Sequence, residues 1–138
     1  MANQALESFA ALMESNDMRV RLTDEDENVG FVGFDLGETN LGILVIFSED
    51  CTDVSFVGRD FLKVPEDRSD VIYKVMNECN SQYRWVKFVW DEESGEATVR
   101  ADARIEPETC AEECFGTLQS MVSIVKEVYP VFMKAIWA

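Results

Sequence analysis

Between positions 96 and 105 apolar and polar residues alternate without a break. Ala97, Val99, Ala101, Ala103 and Ile105 fall on one side, and Glu96, Thr98, Arg100, Asp102 and Arg104 on the other. Such a segment belongs half-buried in a sheet, and its register is fixed because a slip of one residue would bury the charges. Residues 84–90 are its partner, joined through the acidic turn Glu92-Glu93-Ser94-Gly95, which makes an antiparallel hairpin. The small inward residues Ala101 and Ala103 leave room for a helix to approach closely.

The segment that follows supplies that helix. From near Pro107, a favoured first-turn residue, apolar positions including Cys114, Phe115, Leu118, Met121, Val122, Val125, Val128, Tyr129, Phe132 and Ile136 recur at steps of three or four. Thirty helical residues would span roughly 45 Å, and Pro130, which cannot donate to the carbonyl of Lys126, is expected to kink or divide the helix. Val71, Ile72, Val75, Met76 and Cys79 predict a second helix from about residue 67, with Asn77 and Asn80 near its exit. Leu6, Phe9, Ala10, Leu12 and Met13 predict a first one over residues 3–15.

Strands occupy the interval between those two helices. Residues 18–22 alternate as a short edge strand, and residues 29–36 and 41–48 flank the turn Gly37-Glu38-Thr39-Asn40. Residues 41–47 are apolar at nearly every position, so this strand is expected to be central and covered on both faces. Residues 54–64 read as a further strand, with Gly58 as a bulge or weak point. The fold class is therefore α+β in the order α-β(3-4)-α-β-β-α: a strongly twisted antiparallel sheet of five to six strands with helices packed on it. With 138 residues and 47% apolar content, residues 1–138 are expected to form one domain.

Charge narrows the function. Twenty-seven acidic residues against 12 basic ones give a net charge of -15, which repels phosphate backbones and anionic lipid, so neither nucleic acid nor membrane is an expected partner. The carboxylates read as a solvated face, or as a surface that attracts a basic segment. There is no secretory signal pattern and no apolar run of membrane-spanning length, so the expected location is cytoplasmic. Cys51, Cys79, Cys110 and Cys114 are expected to be reduced there.

Histidine is absent, which removes the usual imidazole-based nucleophilic arrangements. Cys110 lies in the first turn of the last helix, but Glu108, Glu112 and Glu113 surround it, and negative neighbours raise a thiol pKa. The cysteines lack paired CxxC spacing, so structural zinc is not expected, and Cys79 and Cys114 read as small buried residues. Residues 24–30 with Asp35 resemble a calcium loop, but Val29 stands where glycine is required and strands rather than helices flank it, leaving an acidic turn as the plain reading. The glycines at 30, 33, 37 and 42 lack the ending of a phosphate loop. Trp85, Phe88 and Trp90 read as core and interface rather than as a base-stacking platform. No catalytic, cofactor-binding or metal-binding residue is assigned.

Asn77 and Asn80, Arg84-Trp85-Val86-Lys87-Phe88, and Tyr129-Pro130-Val131-Phe132-Met133 together resemble the YbjN-like family of bacterial sensory transduction regulators, whose fold is similar to that of type III secretion chaperones. The resemblance implies a non-enzymatic regulatory or chaperone-like domain, a homodimer, and a polypeptide partner. Tyr129, Phe132, Met133, Ile136 and Trp137 are the expected interface residues, facing a partner with a basic or apolar segment. The competing class is a small-ligand sensor or enzyme, which would show an enclosed pocket of convergent carboxylates with raised pKa values.

Overall fold

The structure, a computed structural model, describes residues 3–138. Helix α1 (Gln4–Ser15) leads into strands β1 (Arg21–Leu22), β2 (Val29–Asp35), β3 (Asn40–Phe47) and β4 (Asp53–Arg59). A single 3-10 turn over Glu66–Arg68 opens α2 (Ser69–Gln82), and the hairpin of β5 (Lys87–Asp91) and β6 (Glu96–Arg104) precedes α3 (Cys110–Trp137). The six strands form one antiparallel sheet in the order β1-β2-β3-β4-β6-β5. The α+β class and the element order match expectation, with four strands before α2.

Strand alternation sends Leu41, Ile43, Val45 and Phe47 of β3, Val54 and Phe56 of β4, and Ala97, Val99 and Ala101 of β6 to one side of the sheet, where all are buried. Three helices cover that side. Leu6, Phe9 and Met13 of α1 are buried there, with the Phe9 ring 6.2 Å from that of Phe47. Helix α3 contributes an unbroken buried stripe of Cys114, Leu118, Met121, Val125, Val128, Phe132 and Ile136. Each large side chain so buried contributes about 1.5–3 kcal/mol relative to exposure. Asn3 caps α1 by accepting from the Ala5 and Leu6 amides, and its amide group donates to Asn28 Oδ1 and the Ser48 carbonyl, tying the helix start to two loops.

Four local expectations are corrected. Strand β3 is central, but only one of its faces is covered: Leu44 is half-buried and Ile46 is 37% exposed on the other side. Strand β4 stops at Arg59 because Asp60 adopts a left-handed φ of 69°. Gly58 forms no bulge; it keeps the regular pairings with Ile43 and Val99, and a Cβ there would lie 2.5 Å from the Val99 Cγ1, so close packing demands the glycine. Helix α3 runs through Pro130 undivided. Pro130 sits on the exposed side of the helix, while Val128 and Phe132 are anchored in the core, and that burial on both sides offsets the cost of about 3 kcal/mol expected for an interior proline.

Candidate functional site

The residues that carry the family resemblance build one joint. Near the end of α2, the Asn80 side chain accepts from the Phe88 amide at 2.7 Å and donates to the Phe88 carbonyl at 3.0 Å, so it acts as a substitute strand along the free edge of β5. Lys87 then donates to the Asn80 and Tyr83 carbonyls, each at 2.6 Å, placing a cation on the negative end of α2. The Phe88 ring meets Phe132 of α3 edge-on, with centroids 5.1 Å apart, and Phe61 at 6.2 Å. These motif residues are architectural: they fix α2, β5 and α3 relative to one another. Trp85, in the middle of the motif, is 78% exposed.

The five expected interface residues separate into two groups. Phe132 and Ile136 are fully buried in the core, so neither is available at a surface in this fold; their three- and four-residue spacing belongs to the stripe that meets the sheet. Tyr129 and Met133 are half-buried and Trp137 is 66% exposed. Tyr129 and Met133 belong to a second stripe, with Phe115 and Val122, that runs beside the core stripe at intervals of seven and four residues. It is the margin of α3, neither inside nor fully outside.

That margin forms one wall of a groove. Met18, Phe34 and Leu36 form the opposite wall around a volume of about 480 Å³ beside Phe115, Leu118 and Val122. A second depression of about 230 Å³, bounded by Leu36, Thr39, Tyr129 and Pro130, adjoins the first through Leu36 and Lys126. From Phe115 to Met133 the helix rises about 27 Å. Asp35 and Glu38 lie at its rim with Lys126 between them. The sequence reading missed Met18, Phe34, Leu36, Phe115 and Val122 as lining residues. The seven-residue recurrence of Phe115, Val122 and Tyr129 was the available signal, hidden because it merges with the core periodicity.

A cleft of about 670 Å³ lies at the start of α3, where Asn3, Glu27, Asp50, Cys51 and Cys110 meet. Its chemistry is not that of a buried acid pair. Asp50 is held below the usual carboxylate range by hydrogen bonds from the Thr52 and Ser48 hydroxyls and the Thr52 amide, the reverse of a general acid. Burial pushes the Cys110 thiol up, assisted by Cys51 and Glu113, although an Ala111 amide hydrogen bond opposes it. Burial likewise raises Cys79, and it takes Cys114 to about 12. All three are therefore protonated packing residues near neutral pH. The residue 24–28 turn is organised by its own hydrogen bonds, Asp26 accepting from the Asn28 amide and Thr23 from the Glu25 amide. Among the described residues no cluster of three or more acidic, cysteine or histidine side chains is placed to hold a metal ion, and no helix is long and apolar enough to cross a membrane.

The fold agrees with comparison to known proteins. A family model described as "YbjN: Putative bacterial sensory transduction regulator" matches residues 5–134. The chain belongs to the YbjN family. Among solved structures it is similar to YbjN from E. coli, described as a "putative transcription regulator", with a TM-score of 0.66, 9% identity, and 91% of each chain covered. It is also similar to a chain of the ExsC–ExsE complex, with a TM-score of 0.56, 15% identity, and 93% and 96% of the two chains covered. No curated protein sequence matches at a significant level. At these identities the structural likenesses establish the fold, which is of the type III secretion chaperone kind that the sequence resemblance implied.

Proposed function

We propose that this YbjN-family protein is a non-enzymatic binding domain that acts as a homodimer and holds a segment of another polypeptide in the groove along α3. The observation that carries the reading is the second, half-buried stripe of Phe115, Val122 and Tyr129, which with Met18, Phe34 and Leu36 lines an open trough. A trough with apolar walls and a partly charged rim suits an amphipathic helix or an extended chain, whose apolar side chains would gain burial that the monomer leaves incomplete. A chain of the same fold has been solved as the ExsC–ExsE complex, and the net charge of -15 favours a segment carrying lysine or arginine. Tyr129, Met133 and Trp137 remain the interface residues of the original five.

A titration calorimetry experiment tests this directly. A synthetic amphipathic helix with a leucine stripe and lysine flanks is expected to bind the wild-type protein and to lose at least tenfold in affinity to Val122→Asp, while Trp85→Ala, remote from the groove, binds as wild type. Equal binding by all three proteins, or none by the wild type, overturns the groove reading. Sedimentation velocity tests the homodimer separately, with a monomer at all concentrations as the contrary result.

A further inference from the structure

The cleft at the start of α3 brings together the beginning of α1, the turn between β3 and β4, and the first turn of α3. Short backbone bonds hold these segments in place. The Ser48 amide donates to the Asp53 carbonyl and the Cys51 amide to the Ser48 carbonyl, each at 3.0 Å, which closes the turn on itself. The Ile105 amide donates to the Thr52 carbonyl at 2.9 Å, so the segment leading into α3 runs against the residue next to Cys51. Two cysteines far apart in the sequence, Cys51 and Cys110, thereby line one cleft.

The conformation of Cys51 is unusual. Among the described residues three non-glycine residues take a left-handed φ: Asp17 at 60°, Asp60 at 69° and Cys51 at 59°. Aspartate enters that region with the help of a short polar side chain that bonds the local backbone, and cysteine has no such help. Backbone strain retained at a reactive side chain points to a use for that side chain. The Cys51 thiol is half-buried and donates to Asn3 Oδ1 at 3.1 Å, the oxygen that also caps α1. The Cys110 thiol is buried and makes only a long contact of 3.7 Å to the Pro107 carbonyl. A negative charge on Cys51 pushes the Cys110 thiol up, so the two sulfurs lie within electrostatic reach of each other. All four cysteines are free thiols.

We propose that Cys51 and Cys110 are a reversible disulfide pair formed in response to hydrogen peroxide. The half-buried Cys51 reacts first: its sulfur takes one oxygen from peroxide, the O–O bond breaks, and a sulfenic acid and water result. The Cys110 sulfur then attacks the Cys51 sulfur, the S–O bond breaks, and the departing hydroxide leaves as water with the Cys110 proton. Two thiols and one peroxide become one disulfide and two waters. The charge of the cleft selects the oxidant. Glu27, Glu49 and Asp50 line it with no lysine or arginine among the described residues, so a small neutral peroxide enters while anionic glutathione disulfide is repelled. The new bond ties the β3–β4 turn to the start of α3 and closes a long loop containing β4, α2 and the β5–β6 hairpin, which restricts the unfolded chain.

Peptide mass spectrometry under non-reducing conditions, after peroxide treatment of the whole protein and alkylation of the remaining thiols, tests the proposal. A peptide pair joining Cys51 to Cys110 is expected, with Cys79 and Cys114 alkylated, a rise in Tm of at least about 5 °C, and full reversal by dithiothreitol. Cys110→Ser should leave Cys51 as a sulfenic acid that dimedone labels. Cys51→Gly, which suits the left-handed φ, should melt no lower than the reduced wild type and form no cross-link, so loss of the bond is separable from loss of the fold. Glutathione disulfide at the same concentration should form the bond at least tenfold more slowly than peroxide. A Cys110–Cys114 pair, a link only between two copies, or a Cys51 oxidised without any bond to Cys110 overturns the proposal, as does equal reaction with the two oxidants.

Discussion

The two faces of the one sheet follow the same alternation and reach opposite ends. On the helix side, Leu41, Ile43, Val45 and Phe47 of β3 disappear into a core closed by α1 and α3. On the other side, Leu44 and Ile46 of the same strand remain within reach of solvent. An uninterrupted apolar run therefore need not mean that both faces of a strand are covered within the monomer. It can mean that one face is finished by the chain itself while the other is completed by something else. Stability resides on the first face, and the proposed recognition chemistry along the α3 margin.

Substitutions on the two faces separate these roles. Ile43→Ala, on the closed face, should cost about 2–5 kcal/mol in denaturant unfolding, since it leaves a cavity in a well-packed interior. A loss below about 1 kcal/mol would show that the closed face is looser than its burial implies. Asn80→Ala removes both hydrogen bonds to Phe88 and should cost about 2 kcal/mol, read in the same way. Because it frees the edge of β5, this variant should also aggregate more readily on heating, visible as light scattering.

Buried thiols add a pH test of the closed face. Burial raises the Cys114 pKa to about 12, whereas a thiol in the unfolded chain ionises near 9. Between these values the unfolded state loses a proton that the folded state keeps, so the stabilisation from this group is complete below pH about 9 and declines as pH rises towards about 12. Cys114→Ala should flatten that part of the stability profile relative to wild type; identical slopes would mean that the thiol is not held in the core. The smallest effect belongs to the open face, where Ile46→Ala should change stability by less than about 1 kcal/mol. A loss matching that of Ile43→Ala would erase the contrast between the faces.

Much of this architecture was legible from the residues. The alternation over residues 96–105 fixed the β6 register, and the three- and four-residue steps in the last 30 residues fixed the face of α3 that enters the core. Two kinds of information were not local. Whether the second face of β3 is covered depends on where α1 and α3 lie, and nothing in the composition of residues 41–47 distinguishes a chain's own helix from a partner. Gly58 looked like a flaw because glycine is unfavourable in strands, yet its cause is Val99, more than forty positions away. Of the five residues expected at an interface from surplus apolar character, Tyr129, Met133 and Trp137 keep some exposure, whereas Phe132 and Ile136 had the same character and are core. One stripe of α3 supplies stability and its neighbour supplies a surface, and a periodicity shared by both conceals the border between them.

The border can be observed directly. Amide chemical-shift mapping of the isotopically labelled protein during titration with the lysine-flanked amphipathic helix reports which backbone positions respond. The account predicts a contiguous response at Phe34, Leu36, Phe115, Val122, Tyr129 and Met133, with Phe31, Leu44 and Val57 silent. Saturable shifts confined to the open sheet face, or shifts scattered without regard to the α3 margin, would contradict it.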